Sequence, residues 1–195
     1  EDPIIKNLKG HNIKSYTKIT FIPDYKRFGI EGLSDDLCSL IKKRTYDMVA
    51  CSSGSIEVYY NDIQTEVCSF NDYINLYIQD NERITLKIND RWEIGACLTP
   101  SFNFKQISFV NGINTSRGGR HVDYISKQIC QQMVDLIKRK KKVEVKEHII
   151  KDNLMIFVNS TIVNPSFDSQ TKETLTTTRS KFGSECILPS KFIDG

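Results

Sequence analysis

The chain has 195 residues, of which 39% are hydrophobic and 26% charged, and its formal net charge is +3. This composition is typical of a folded globular protein, and the length suits one ordinary domain or two small ones. No apolar run approaches the ~20 residues that a membrane-spanning helix needs, and the start lacks the features of a signal peptide. We therefore expect a non-secreted piece of a longer protein, with no membrane partner.

The first third of the sequence predicts a strand, a helix and a second strand. Residues 17–22 alternate in character and stop at a Pro-Asp turn signal, which indicates a strand. Ser34 is a plausible N-cap for a helix that runs to about residue 50, with Leu37, Leu40, Ile41 and Met48 at helical spacing. A short strand at residues 56–60 then leads into an Asn61-Asp62 turn.

The remainder predicts a longer α+β unit. A helix behind Ser69 is followed by two alternating runs around residues 84–98, which form a hairpin with a three-residue connection. A strand at residues 105–111 leads through a glycine-bearing loop, residues 112–120, into a helix over residues 122–142. A third strand, residues 154–162, precedes a long polar loop, residues 164–181. The boundary between the two units is predicted near residue 67.

Cysteine and histidine spacing predicts no metal site in this chain. The six cysteines include no CxxC pair and the three histidines are dispersed, so no zinc-ligand spacing is present. Reduced thiols buried as small hydrophobic groups are the favoured interpretation. The net charge alone does not argue for a nucleic-acid partner, but five consecutive basic residues, 138–142, concentrate positive charge at one helix end.

Two stretches resemble a known family. QISFVNGINTSRGGRHVDYI, residues 106–125, and NPSFDSQTKETL, residues 164–175, are similar to the transducer domain of eukaryotic and viral type IIA DNA topoisomerases. TKITFIPDYKRF, residues 17–28, and RTYDMVA, residues 44–50, resemble the last strands and helix of the GHKL nucleotide-binding domain that precedes the transducer. The similarity covers nearly the whole chain in the expected order.

The resemblance implies a fold and a division into domains. Residues 1–67 would be the C-terminal portion of a GHKL α/β sandwich. Residues 68–195 would be a transducer domain of the ribosomal protein S5 domain 2-like type, with a mixed four-stranded sheet and a left-handed βαβ crossover. The family's Mg²⁺, adenine and phosphate-lid elements and its DNA-cleaving tyrosine have no counterpart here, so the fragment alone is expected to be inactive.

The resemblance also implies a nucleotide contact at the loop Gln170, Thr171 and Lys172, which we call the QTK loop. In the family this loop reaches the γ-phosphate of ATP, so Lys172 would be both the catalytic, transition-state-stabilising residue and the sensor of phosphate loss. A lysine is a mobile point charge with three donors, which suits a terminal phosphate. Without the motif, an ordinary solvated loop lysine would be favoured. Thr17 aligns with a threonine near the adenine, although a strand threonine needs no such role.

Two basic features leave alternatives open. Lys138, Arg139 and Lys140 match the triplet at which the family's transducer helix touches DNA, but a basic helix end is often only solvated. The SRGGRH segment, residues 116–121, could be an RNA-binding RGG element, a phosphate cradle or a strand-to-helix turn that needs glycine. The turn is favoured, and His121 is predicted to be structural.

The implied function is ATP-dependent passage of one DNA duplex through another by a type II DNA topoisomerase. ATP and Mg²⁺ would be its cofactors, double-stranded DNA its substrate and a homodimer its assembly. It would be nuclear if eukaryotic, and in a cytoplasmic viral factory or virion if viral. The alternatives are a mismatch-repair or chaperone ATPase of the GHKL group, and a non-enzymatic nucleic-acid-binding module.

Overall fold

The structure is a computed structural model that describes residues 15–52, 54, 56–78, 83–99 and 101–193. Its helices are α1 (Asp35–Cys51), α2 (Phe70–Asn75), α3 (Arg120–Lys141) and α4 (Glu147–Asp152). Its strands are β1 (Tyr59–Tyr60), β2 (Ile63–Gln64), β3 (Arg83–Asn89), β4 (Trp92–Leu98), β5 (Lys105–Val110), β6 (Ile113–Asn114) and β7 (Leu154–Ser160). The α+β class predicted from the sequence is confirmed.

The expected strand at residues 17–22 is wrong. Residues 15–24 have no regular secondary structure, and Ile19, Phe21 and Ile22 are exposed. A strand needs a neighbouring backbone to satisfy its amides and carbonyls, and none of the described residues forms a ladder with this segment. Within the described part of the chain, the alternating side chains therefore have no sheet on which to pack, and Thr17 is exposed as well.

Helix α1 forms where it was predicted, but its apolar stripe is not its buried face. Ser34 Oγ accepts a hydrogen bond from the amide of Leu37 at 3.3 Å, which caps the first turn. Leu40, Ile41 and Met48 are about half exposed. The buried residues of α1 instead lie in its C-terminal part, where α2 and the sheet pack against it, and these are Asp47, Val49 and Ala50.

The region between α1 and the sheet is held by a small hairpin and a capped helix. The strand predicted for residues 56–60 shortens to β1, which pairs with β2 around the predicted turn at Asn61 and Asp62. Both turn residues have positive φ, 50° and 63°. Ser69 Oγ then accepts from the amide of Asp72 at 3.1 Å and starts α2, whose Phe70, Tyr73 and Ile74 are buried.

The main sheet has five strands in the order β3-β4-β7-β5-β6. Strands β5 and β7 are parallel and the other pairs are antiparallel, so the sheet is mixed, and β5, α3 and β7 form a βαβ unit. The resemblance implied four strands. The fifth, β6, lies inside the predicted glycine loop, because Asn111 and Gly112, with φ of 51° and 79°, make a tight hairpin turn.

Both faces of this sheet are covered, and each has its own core. On one face the alternate residues Trp92, Ile94 and Ile156 pack against α3 and the C-terminal segment. On the other face Phe109 and Phe157 pack against α2 and the end of α1. Residues on both sides of the predicted boundary at residue 67 thus share the second core, and the boundary itself stays a prediction.

The long helix α3 organises the first core. Val122, Ile125 and Ile129 form its buried stripe. The side chains of Gln128 and Gln132 hold the C-terminal segment through hydrogen bonds to its backbone. The short α4 that follows was not predicted. Among the described residues, no helix combines the length and apolar content that a bilayer crossing requires.

Three of the cysteines fit the predicted role of small buried hydrophobic groups, because Cys97, Cys130 and Cys186 are buried with free thiols. Cys38 and Cys51 are partly buried, whereas Cys68 is exposed. The predicted burial therefore fails at Cys68, which precedes the cap of α2 at the surface.

Candidate functional site

The QTK loop lies at the tip of a hairpin-like segment, residues 166–177. Phe167 and Leu175 form an antiparallel bridge across it. The amide of Thr176 donates to the carbonyl of Ser166 at 2.9 Å, and the amide of Asp168 donates to the carbonyl of Thr174 at 3.1 Å. The loop is therefore ordered by its own backbone, although the sequence predicted only a long polar loop.

The three predicted site residues are all exposed at this tip. The amide of Lys172 donates to the carbonyl of Ser169 at 3.1 Å, which closes a tight turn around Gln170 and Thr171. Lys172 itself has a φ of 59°. A left-handed conformation costs a residue with a Cβ about 1 kcal/mol, so the turn holds Lys172 in a geometry that an unconstrained chain would rarely adopt.

Asp168 stabilises the neck of the loop. Its Oδ1 accepts from the amide of Thr174 at 3.1 Å. Hydrogen bonding to Thr174, chiefly to its side chain and to a lesser extent to its amide, holds the pKa of Asp168 below its usual value. Asp168 was not among the predicted site residues. The Asp-Ser pair at residues 168–169 is a signal for a side-chain-capped turn, and this signal could have predicted the role of Asp168.

No carboxylate pairs with the Lys172 ammonium in the part of the chain that the structure describes. The carboxylates of Asp168 and Glu173 are engaged elsewhere, the first with Thr174 and the second with Ser116 and Arg117. The Lys172 ammonium and the Gln170 amide thus form an exposed set of donors suited to anionic oxygens, whereas the exposed Thr171 hydroxyl is hydrogen-bonded to Ser169 Oγ across 2.7 Å.

The base of the loop is joined to the start of α3 by backbone contacts. The amide of Leu175 donates to the carbonyl of Gly118 at 3.0 Å, and the amide of Arg120 donates to the carbonyl of Leu175 at 3.0 Å. Gly119 has a φ of 128°, and a Cβ placed there would lie 2.3 Å from the Leu175 carbonyl oxygen. The favoured interpretation of residues 116–121, a turn that needs glycine for close approach, is confirmed.

His121 is structural, as predicted. It is fully buried, its Nε2 lies 3.1 Å from Thr115 Oγ1, and burial lowers its pKa to about 3. A neutral imidazole can share a hydrogen bond with Thr115, whose hydroxyl also donates to the carbonyl of Ser108 at 3.0 Å. His121 therefore ties the start of α3 to β5 and has no access to a substrate.

The basic run lies at the other end of α3. Lys138, Arg139 and Lys140 are exposed, and the helix closes at Lys142, which has a φ of 56°. Lys138 Nζ donates to Glu144 Oε1 at 3.0 Å, and this hydrogen bond raises the pKa of Lys138. Part of the predicted positive field is thus neutralised by Glu144. At a rise of about 1.5 Å per residue, the run lies roughly 30 Å from the QTK end of the helix.

Thr17 is not brought together with the QTK loop by any hydrogen bond or ion pair among the described residues, and its predicted role near the adenine stays a prediction. Across those residues no group of three or more His, Cys, Asp or Glu side chains is arranged to hold a metal ion. The candidate site thus has two parts, the hydrogen-bond donors of the QTK loop near the N-terminal end of α3 and the basic run at its C-terminal end.

A family profile described as DNA gyrase B matches residues 56–194. The chain belongs to this family of type II DNA topoisomerases. It is 43% identical over 202 residues to DNA topoisomerase 2 of Arabidopsis thaliana, covering 98% of the chain and 14% of the relative. Human DNA topoisomerase 2-alpha is 44% identical, over 95% of the chain and 13% of the relative. DNA topoisomerase 2 of Acanthamoeba polyphaga mimivirus is 42% identical, over 100% of the chain and 16% of the relative.

Solved structures place the chain within the ATPase region of this family. It superimposes on the ATPase region of Saccharomyces cerevisiae topoisomerase II with a TM-score of 0.81 and 38% identity, covering 88% of this chain and 44% of that one. The ATPase and transducer domains of DNA topoisomerase II from Balamuthia mandrillaris give a TM-score of 0.82 and 39% identity, with the same coverage of the two chains. The likeness confirms the fold predicted for the ATPase and transducer region, and it favours a topoisomerase over the other GHKL ATPases. The chain spans about one seventh of the length of its full-length relatives.

Proposed function

We propose that this chain is the part of an ATP-driven type II DNA topoisomerase that responds to the terminal phosphate of ATP and relays the response towards DNA. The observation that carries the proposal is the QTK loop. Its three side chains are exposed, the Lys172 ammonium has no carboxylate partner within the described residues, and its base is joined to the start of α3 through the backbone hydrogen bonds of Leu175. A displacement of the tip on phosphate binding would therefore be transmitted to the start of α3 through these hydrogen bonds.

The chemistry of the tip fits a phosphate group. The Lys172 ammonium offers charge and three donors, and the exposed Gln170 amide adds neutral donors. The Thr171 hydroxyl would join them once it exchanges its hydrogen bond with Ser169 for one to phosphate. Such donors stabilise the charge that spreads over the phosphoryl oxygens during transfer. Bound ATP would supply the free energy of hydrolysis. We assign Mg²⁺ and most of the nucleotide to other parts of the longer protein.

The basic run gives the proposal its DNA end. Arg139 and Lys140 are exposed without a carboxylate partner in the described chain, and contacts from them to phosphates would be salt-sensitive and independent of sequence. Lys138 would join them once a phosphate competes with Glu144. The substrate would be double-stranded DNA and the assembly a homodimer. The location would be the nucleus in a eukaryote, or a viral factory or virion for a virus.

The substitution Lys172→Ala in the full-length protein tests this proposal. Removing one charged donor from a phosphoryl-transfer site should lower the turnover number for ATP by about 100-fold, while nucleotide binding is largely retained. Lys181→Ala is the matched control, since Lys181 is an exposed lysine of the same polar segment outside the turn. ATP hydrolysis and the dissociation constant for a non-hydrolysable analogue would be measured for both variants.

Unchanged ATP turnover in Lys172→Ala would overturn the sensor role. An assay of ATP-dependent supercoil relaxation by the full-length protein distinguishes the proposed topoisomerase from a non-enzymatic nucleic-acid-binding module. Such a module would bind DNA with a steep salt dependence but would not relax supercoils when ATP is added.

A further inference from the structure

A buried carboxylate joins α1 to α2 outside the site described above. Asp47 is only 3% exposed. Its Oδ1 accepts from the Tyr73 hydroxyl at 2.6 Å and from Lys43 Nζ at 2.9 Å, and its Oδ2 accepts from Arg44 at 3.3 Å. Burying a carboxylate is costly unless it is paired and hydrogen-bonded, so these partners together offset the cost of burying Asp47.

Tyr73 carries the connection from Asp47 to the sheet. Its ring meets the β5 residue Phe109 edge-on, with centroids 5.7 Å apart, and the neighbouring Tyr77 ring lies 5.9 Å from the β7 residue Phe157. The Tyr73 hydroxyl donates to Asp47, so the Tyr77 hydroxyl donates to Tyr73 across 2.9 Å. Burial, followed by the hydrogen bond to Asp47, raises the pKa of Tyr73, which keeps this proton in place.

The fit between α2 and the sheet leaves little room for sliding. A Cβ added at Gly95 in β4 would lie 2.6 Å from Ile74 Cδ1, so the helix rests on a strand position that holds no side chain. A second tie runs from Asn159 Nδ2 in β7 to the carbonyl of Ala50 near the end of α1, at 3.1 Å. Strands β5 and β7 are the parallel pair linked through α3, at whose start the QTK loop docks.

We propose that Asp47 is a positioning residue that fixes the orientation of α1 relative to the sheet carrying the QTK loop, through its hydrogen bond with Tyr73. This inference rests on the proposed function. When α1 is held, the QTK loop approaches the nucleotide as part of one rigid body; when it is released, the approach is less frequent. Asp47 touches neither the nucleotide nor DNA and acts only through the placement of Lys172.

The variant Tyr73→Phe in the full-length protein removes the hydroxyl and keeps the ring packing. The turnover number for ATP should fall about tenfold, with KM within about twofold, which corresponds to losing one hydrogen bond to a charged group. Tyr77→Phe is the matched control, because it deletes a neighbouring hydroxyl that does not contact Asp47, and its turnover should equal that of the unsubstituted protein.

The decisive measurement repeats Tyr73→Phe in the Lys172→Ala background. If Asp47 acts through the QTK loop, Tyr73→Phe has no further effect there, whereas a merely structural role lowers turnover by the same factor in both backgrounds. Equal factors, or a Tyr73→Phe protein with normal turnover, would overturn the positioning role. The proposed function fails separately, if Lys172→Ala itself leaves turnover unchanged.

Asp47→Asn is the second variant, in case Tyr73→Phe does not fold. It keeps an acceptor for the Tyr73 hydroxyl and loses the charge, so turnover should fall by less than in Tyr73→Phe and again only when Lys172 is present. A fall that persists without Lys172 would count against the inference in the same way.

Discussion

The two ends of α3 are built on opposite principles. At its N-terminal end, backbone hydrogen bonds join Gly118 and Arg120 to Leu175, and the contact is too close for any side chain at Gly119. At its C-terminal end, the basic run is exposed and Lys138 forms an ion pair with Glu144. One end is fixed by shape and the other is governed by charge. The proposed relay would use this difference, because one end would have to transmit position while the other bound and released DNA.

The substitution Gly119→Ala tests the shape-governed end most severely. A Cβ would collide with the Leu175 backbone and would also force a positive φ on alanine, so the free energy of unfolding should fall by about 3 kcal/mol. Urea denaturation followed through the fluorescence of Trp92, the single tryptophan, measures this. Gly32→Ala is the control, since nothing lies within 4 Å of that position. Equal stability of the two variants would contradict the close approach.

His121, at the same N-terminal end of α3, should make the free energy of unfolding depend on pH. Burial lowers its pKa to about 3 from 6.5, so the unfolded chain binds the proton more tightly than the folded chain. The stabilisation is complete above pH 6.5 and is lost as the pH falls towards 3, at about 1.4 kcal/mol per pH unit. Between pH 6.5 and pH 5 we expect a loss of about 2 kcal/mol from this residue.

The variant His121→Gln isolates that contribution, because glutamine can hydrogen-bond to Thr115 without titrating. Its free energy of unfolding, measured by urea denaturation at pH 7 and pH 5, should lack the part of the slope that His121 causes. Identical slopes in the two proteins would show that His121 is accessible to protons in the folded state.

The smallest expected effects lie at the charge-governed end. Arg139→Ala and Lys140→Ala should each weaken duplex binding several-fold and reduce the slope of affinity against salt concentration by about 1. Glu144→Gln should act in the opposite direction, because it releases Lys138 from its ion pair. Fluorescence anisotropy titrations between 50 and 200 mM KCl (roughly the range over which such contacts weaken) would measure all three. Lys105→Ala, an exposed lysine on β5, is the control and should change nothing.

Features that depend on local hydrogen bonds could be predicted from the sequence. Local signals were sufficient at Ser34 and Ser69, which cap their helices as expected, and at the Asn61-Asp62 turn. The Asn111-Gly112 pair is an equally strong hairpin signal, and it accounts for the fifth strand that the prediction missed. These features depend on hydrogen bonds within a few residues, so a short window contains their cause.

Long-range contacts could not be predicted in this way. The strand expected at residues 17–22 fails because a strand depends on a partner elsewhere, and local alternation says nothing about whether one is present. The burial of Asp47 depends on Tyr73, which is distant in sequence. The QTK residues were found by motif, whereas their rigid support at Gly119 and Leu175 became visible only in three dimensions.

The bridge between Gly119 and Leu175 also bears on how the protein folds. It closes a loop of chain that contains α3, α4 and β7, and closing such a loop costs conformational entropy before any contact repays it. We therefore expect the QTK loop to dock late, after α3 has formed and β7 has paired beside β5. An incompletely folded chain can then have a formed sheet while its QTK loop is not yet in place, and under the proposed function such a chain lacks its contact with the phosphate.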